Sequence, residues 1–304
     1  MPAARSDLAL AALASAAVHG MEPVRVQAVE ATADDVDAAL IEDNLNRTWV
    51  VRAPRTAAAG MRLDAEAELT AGLVSWLPFG LPQVEGSAPL PGGGRAIVHR
   101  QLPGRPLQPP QLLHRPGLAT ALGGAVAAIH DLPGRLIEEA GLPIYGAEEF
   151  RLRRLAELDR AAGTGRVPPA LLQRWEQAVE EIGAWRFVPC VVHGDLVGEN
   201  VLTEGDRVTG VVEWSEARVG DPADDFAWLS IGPAEPTLDA VLAGYTAAST
   251  EPPDPFLRRR ARLSAEFALA RWLLHGVSTD DAAIVDDAAQ MLADLEAGLD
   301  EAPW

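Results

Sequence analysis

One stretch constrains this chain more than any other. Val191-Val192-His193-Gly194-Asp195-Leu196 is followed by Asn200-Val201-Leu202, and a second apolar run ends in Val211-Val212-Glu213. β-Branched residues flank a His-Gly-Asp turn, and glycine there permits backbone geometry that a Cβ would hinder. Glu204-Gly205-Asp206 is the turn joining the two runs. The set offers a carboxylate base, Asp195, and two hard-oxygen donors, Asn200 and Glu213, suited to Mg²⁺ on a polyphosphate. Those are the parts of phosphoryl transfer: positioning, charge neutralisation, and an Asp that accepts a hydroxyl proton. A His-Gly-Asp tripeptide alone is usually an accident of a loop. Its company here, Leu196, Asn200, two flanking strands and a second carboxylate, makes accident a poor account.

With 304 residues the chain has material for one large domain or two lobes. No apolar run approaches the roughly 20 residues that span a bilayer, so no membrane partner is expected. The apolar run at 8–18 is short, with only Arg5 before it, and reads as a packed N-terminal helix rather than a secretory signal. Net charge is −19, and all 25 basic residues are arginine. Any task usually given to lysine falls to arginine here. An acidic chain lacks the basic stripes that phosphate backbones need, so no nucleic-acid partner is expected. Cys190 is the sole cysteine, so no intrachain disulfide forms, which suits a reducing cytoplasm. A cytoplasmic monomer is expected.

Along the chain, Ser6 caps a helix over 6–18. Strand-like pieces follow at 24–29, 38–41 and 48–53, the last ended by Pro54. A helix over 62–74 and a strand over 96–100 complete the first section. Pro103-Gly104-Arg105-Pro106 reads as a linker. Beyond it the pattern is helical at 118–129, 147–162, 169–185, 237–245, 255–274 and 281–299, interrupted only by the β-like runs of 188–213. The predicted fold is α+β: a small β-rich N-terminal lobe, 1–102, and a larger helical C-terminal lobe, 103–304.

The spacing from Asp195 to Asn200 equals that of the protein-kinase catalytic loop. Val192-His193-Gly194-Asp195-Leu196 with Asn200-Val201-Leu202 resembles the catalytic loop of the aminoglycoside/macrolide phosphotransferase family of protein-kinase-like enzymes. Val211-Val212-Glu213-Trp214 and Gly220-Asp221-Pro222-Ala223, with Asp225 and Ala227, resemble its metal strand and the segment after it. Trp214-Ser215-Glu216-Ala217-Arg218-Val219, Trp49-Val50-Val51-Arg52-Ala53-Pro54-Arg55 and Leu77-Pro78-Phe79 are similar to the macrolide 2′-phosphotransferase branch in particular. The resemblance covers most of the chain.

That resemblance implies a two-lobed kinase-like fold with a nucleotide-binding N-lobe, a hinge at about 98–102, and a C-lobe carrying the catalytic loop and acceptor site. It implies Asp195 as catalytic base, Asn200 and Glu213 as Mg²⁺ ligands, and His193 as an orienting residue. Asp221 and Asp225 would be structural, bonding backbone near the catalytic loop. The family usually has Asp where Glu213 stands. One extra methylene displaces the carboxylate on the order of 1 Å, enough to cost about a hundredfold when it misplaces a reacting group. Arg52 would hold nucleotide phosphates and pair with Glu66, or with Glu68 one helix face away. His99 would sit at the nucleotide site. No glycine-rich loop precedes Arg52 in 36–48. The implied donor is GTP, with ATP the alternative, and the implied acceptor is a macrolide. Tyr145, Trp228 and Trp272 are candidates for its wall, or ordinary helix core. A kinase of another small molecule and a pseudokinase-like binding protein are the competing readings.

Overall fold

The computed structural model describes residues 4–29, 35–251 and 254–298, with the side chains of 233 and 234 excepted. The chain forms two compact units. The first comprises Met1–Gln108, Arg135–Leu142 and Gly198–Ala217; the second comprises Pro109–Gly134, Pro143–Val197 and Arg218–Trp304. The 191–213 stretch is therefore shared, with Asp195 in the second unit and Asn200 and Glu213 in the first.

The first unit is built on an antiparallel sheet of five strands: β1 (Pro23–Val29), β2 (Val36–Asp43), β3 (Thr48–Pro54), β4 (Val84–Pro89) and β5 (Arg95–Arg100). Their order is β1-β2-β3-β5-β4. The period of two along a strand decides which side chains do what. Trp49, Val51 and Ala53 on β3, Ile41 on β2 and Val98 on β5 share one face, and helix α1 (Asp7–Ala17) buries it with Leu10 and Ala14. The alternate positions, Val50 and Arg52 on β3 with His99 on β5, turn the other way, and the register places Val50 opposite His99. Helix α2 (Ala57–Leu73) packs on that second side through Ala59 and Leu63, against Val36 and Ile97. Thr56 Oγ1 caps α2 by accepting from Ala59 N at 3.1 Å. The helix starts five residues before the 62 expected, because Ala57-Ala58-Ala59 are strong helix formers even without an apolar period.

The hairpin between β2 and β3 closes on Asp43. Its buried carboxylate accepts from Arg47 N, Leu45 N and Trp49 Nε1, and pairs with Arg47 Nε at 2.6 Å. Burial pushes this carboxyl up, but those bonds hold it well below the ordinary range. The glycine-free run 36–48 is thus strand β2, which extends beyond the 38–41 expected, and a hairpin turn. The β1–β2 connection at 30–34 lies outside the described residues.

The remainder of the first unit is a three-stranded sheet of β6 (Arg105–Pro106), β8 (Val201–Glu204) and β9 (Arg207–Val211), ordered β6-β8-β9. Short helix α5 (Arg135–Glu139) belongs here too. The segment after α2 joins this sheet through Gly80 N to Thr209 O at 2.9 Å and Val211 N to Gly80 O at 3.1 Å. Neither β4 nor α5 was expected: Gly86, Ser87 and Pro89 dilute the strand signal, and α5 is barely more than one turn.

The second unit is helical: α3 (Pro109–His114), α4 (Pro116–His130), α6 (Ala147–Gly163), α7 (Pro169–Glu180), α8 (Leu238–Ala248), α9 (Leu257–Thr279) and α10 (Ala282–Ala297). Leu158 of α6, Trp175 of α7, Phe267 and Leu273 of α9 and Leu292 of α10 share one core, in which Trp175 stacks on Phe267 at 5.0 Å. Helices α4 and α8 touch backbone to backbone: a Cβ on Gly123 would lie 2.2 Å from Val241 O. The helix expected over 169–185 ends at Glu180 and continues as a 3-10 turn over Ile182–Trp185. That over 255–274 runs on to Thr279. The last expected residue of the final helix, Leu299, lies outside the described residues. Two short strands, β7 (Cys190–Val192) and β10 (Arg218–Gly220), pair antiparallel. Among the described residues no helix is long and apolar enough to cross a membrane.

Candidate active site

In the second unit, β7 runs directly into His193. The turn that follows is held from below by one carboxylate: Asp225 accepts from His193 N at 2.9 Å and from Gly194 N at 2.8 Å. Gly194 has φ +82, which a side chain would strain. His193 is fully buried, and its Nδ1 accepts from Asp195 N at 3.3 Å, so the neutral ring carries its proton on Nε2. Histidine here fixes the backbone of the aspartate that follows it. Asp195 itself is half-buried.

Asp225 has a partner that the sequence did not announce. His130, the last residue of α4, is buried, with Nε2 3.2 Å from Asp225 Oδ2 and Nδ1 3.0 Å from Tyr245 OH. Burial opposes its charge, but Cys190 and Asp225 more than compensate, and its pKa rises well above the ordinary 6.5. The native state therefore binds a proton that the unfolded chain releases. The stability this contributes is complete below about pH 6.5 and is lost as pH rises through the folded value. Wild type is expected to lose thermal stability more steeply than His130→Gln as pH rises above about 6.5. Equal slopes in denaturation scans would count against the charged pair.

Asp221 does something different. It caps the 3-10 turn through Ala223 N at 2.9 Å and holds the buried Arg260 at 2.7 Å. Asp224 collects Arg154 and Arg218 together with Ser264 Oγ. The first of these aspartates thus binds an arginine and its own turn rather than the catalytic-loop backbone.

The first unit carries the other half of the sequence motif. Arg52 extends from β3, and its NH1 reaches both oxygens of Glu66 on α2 at 2.9 Å. Its NH2 reaches Glu213 Oε2 at 2.8 Å. Glu66 also accepts from Trp214 N at 3.1 Å. Of the two helix glutamates left open by the sequence, Glu66 is the partner. Burial opposes the charge on Arg52, but Glu66 and Glu213 hold its pKa above the ordinary value. Burial, with Glu213 nearby, pushes Glu66 up against the pull of Arg52. Glu213 sits in the left-handed region, φ +63 and ψ +58, uncommon for a non-glycine residue.

Arg52, His99, Asn200 and Glu213 line one cavity of about 440 Å³ in this unit. Its apolar wall includes Val36, Leu40, Val50 and Leu202. A volume of that size suits a small molecule or cofactor. His99 is buried, and Nδ1 donates to Arg100 O at 2.8 Å, leaving Nε2 as the acceptor. Burial, reinforced by the charge on Arg52, lowers its pKa, so this histidine is neutral. Gln101, within the expected hinge 98–102, and Glu199 also line the cavity, and nothing in the sequence context of Glu199 distinguished it. Asn200 and Glu213 are oxygen donors on one cavity wall, the chemistry Mg²⁺ prefers. Among the described residues no three His, Cys, Asp or Glu side chains form a metal cage. Mg²⁺ held jointly with a nucleotide needs only one or two carboxylates, so the donor set fits.

The three aromatic candidates are in the second unit. Tyr145 packs at the edge of the helical core, 6.4 Å from Phe150, with Arg153 over its ring at 4.4 Å. Trp228 lies in the 3-10 segment Pro222–Leu229, and its buried Nε1 has no hydrogen-bond partner among the described residues. Trp272 is 41% exposed on α9 and stacks on His275 at 5.5 Å.

A carboxylate-anchored His-Gly-Asp turn in one unit and an arginine-glutamate pair beside a cavity in the other are features of kinase-like folds. The chain belongs to the APH phosphotransferase enzyme family, whose model it matches over residues 26–263. It is 34% identical over 214 residues to viomycin phosphotransferase from Streptomyces vinaceus, across 64% of this chain and 71% of that one. The chain spans about two thirds of the two curated relatives that it matches at greatest length. Among solved structures it resembles a type I macrolide 2′-phosphotransferase, at 26% identity and TM-score 0.80, covering 94% of this chain and 96% of that one. An aminoglycoside phosphotransferase solved with GDP and kanamycin shares the fold at 20% identity and TM-score 0.79, covering 92% and 95%. The fold class is the expected one, α+β and protein-kinase-like.

Proposed function

We propose that the chain transfers the γ-phosphoryl group of GTP to the 2′-hydroxyl of a macrolide amino sugar, and so confers antibiotic resistance in the cytoplasm. The observation that carries the phosphotransfer reading is Arg52, paired with Glu66 and lining a cavity with Asn200 and Glu213. In this reading residues 1–102 bind the nucleotide, with 98–102 as the hinge, and 103–304 carry the loop and the acceptor site. Arg52 grips phosphate oxygens through its planar fork. Mg²⁺, when bound, neutralises charge on the polyphosphate, and Asn200 and Glu213 are the residues that hold it. Asp195 accepts the acceptor hydroxyl's proton, and the Asp225 and His193 bonds keep its backbone fixed. His99 borders the nucleotide. Tyr145, Trp228 and Trp272 are apolar surface for the acceptor.

The likeness to a macrolide 2′-phosphotransferase supports the acceptor and, through that branch, GTP. The greater sequence identity to viomycin phosphotransferase supports a second reading, a kinase of a basic antibiotic. The test is one acceptor panel of macrolides, viomycin-type peptides and aminoglycosides, run with GTP and with ATP in the presence of Mg²⁺. Mass spectrometry should find one added phosphoryl group on the macrolides, formed faster with GTP. Phosphorylation confined to the basic antibiotics would overturn the macrolide assignment. No product with any acceptor would favour a binding protein.

A further inference from the structure

The second unit contains a cavity of about 430 Å³ that is lined by none of the residues assigned above to catalysis, nucleotide or acceptor. Leu132, Val188, Val191, Val219 and Leu257 give it an apolar wall. Its polar side holds Asp131, Glu251 and Asp254 with Ser249 and Thr250, and no arginine is among its lining residues. Arg260 neutralises Asp254 through two bonds, at 2.9 and 2.8 Å. Asp131 accepts from Thr250 Oγ1 at 3.0 Å. Neither Asp131 nor Glu251 has a cationic partner among the described residues. In the same wall the Ser249 hydroxyl oxygen is buried and has no hydrogen-bond partner among the described residues. Buried polar atoms are nearly always paired, so this one points to a missing partner. Two exposed carboxylates with no cationic partner, at the edge of an apolar wall, suit a cation on a hydrophobic body.

We propose that this cavity is a second ligand site, which takes a protonated amine carried on an apolar body, with its ammonium on Asp131 and Glu251. The site is placed to act on the catalytic loop. His130 is one of its lining residues, and His130 Nε2 meets Asp225, whose carboxylate holds His193 N and Gly194 N. Cys190 and Val191 of β7 also line the cavity, and β7 runs straight into His193. An occupant therefore stiffens the support of the loop that carries Asp195.

Phenethylamine is titrated into the full chain without nucleotide, with phenethyl alcohol as the neutral match, so the outcome is independent of any phosphotransfer. Cys190 serves as the locating probe, through its rate of reaction with methyl methanethiosulfonate. The amine should bind saturably and about tenfold more tightly than the alcohol, the increment of one charge-assisted contact. It should slow Cys190 labelling with the same saturation and slow hydrogen exchange at the His193 and Gly194 amides. Asp131→Asn with Glu251→Gln, isosteric changes at two exposed carboxylates, should remove the preference and the protection. Ser249→Ala, which keeps both carboxylates, should retain the preference. No saturable binding, equal binding of amine and alcohol, or undiminished binding by the double variant overturns the site. So does binding that leaves Cys190 labelling unchanged, or a Cys190 that does not react in the free protein. Unchanged exchange at the two amides overturns the link to the loop.

Discussion

Asp195→Asn is expected to lower kcat for phosphoryl transfer by about 10²- to 10⁴-fold, the usual worth of a positioned general base. Nucleotide affinity and thermal stability should stay near wild type. The separation follows from how the loop is held. Its geometry depends on backbone groups: His193 N and Gly194 N bond to Asp225, and Asp195 N bonds to His193 Nδ1. Asparagine keeps all three, because none involves the Asp195 carboxylate. What it loses is the lone pair that takes the hydroxyl proton. The residues that line the nucleotide-sized cavity, Arg52 and His99 among them, are on other elements. The measurements are steady-state kcat and KM for the acceptor and calorimetric binding of the nucleotide. A loss under about tenfold would remove Asp195 from the role of base. A matching loss of nucleotide affinity would recast it as a binding residue.

Much of this arrangement was legible in the sequence because it is carried by short-range order. A strand feeding His-Gly-Asp is a local instruction, and so is the alternation that puts Trp49 and Val51 on one face and Arg52 on the other. The Asp225 bonds to the loop followed from the resemblance and appear as hydrogen bonds at 2.9 and 2.8 Å. What was not legible depends on distant pairing. His130 directly follows the helix expected over 118–129 and nothing local marked it; only the folded chain brings it to Asp225, 95 residues away. Glu66 and Glu68 could not be separated by spacing, since the choice depends on the angle at which α2 packs on β3. Within residues 36–48 only 38–41 read as a strand, because the acidic and amide residues on either side dilute the signal. Their pairing with β1 and β3 shows a strand and a hairpin turn. The aromatic candidates illustrate the same limit. Nothing local tells Trp272, partly exposed, from Trp175, fully buried, although each lies on a helix of the same core.

Glu213 is the residue at which sequence and structure together make the sharpest prediction. Glu213→Gln is expected to cost about a hundredfold in kcat, whereas Glu213→Asp should raise kcat, by up to about a hundredfold if the carboxylate is now misplaced. Two observations favour the rise. Glu213 holds a left-handed backbone conformation, which aspartate adopts at less cost than longer side chains. Its extra methylene also carries the carboxylate onto Arg52 NH2 at 2.8 Å, occupying one prong of the guanidinium proposed to grip phosphate. Aspartate shortens that reach and leaves Arg52 with both oxygens of Glu66 at 2.9 Å, so NH2 becomes available to the nucleotide. Glutamine removes the charge proposed to hold Mg²⁺ while keeping the length, so it has the loss without the gain. The pair of variants is measured for kcat and for the Mg²⁺ concentration at half-maximal rate. Glu213→Asp should lower that concentration, and Glu213→Gln should raise it. A fall in kcat for both, with the Mg²⁺ requirement unmoved, would mean that Glu213 serves as the second clamp on Arg52. The cation would then depend on Asn200 and the phosphates alone.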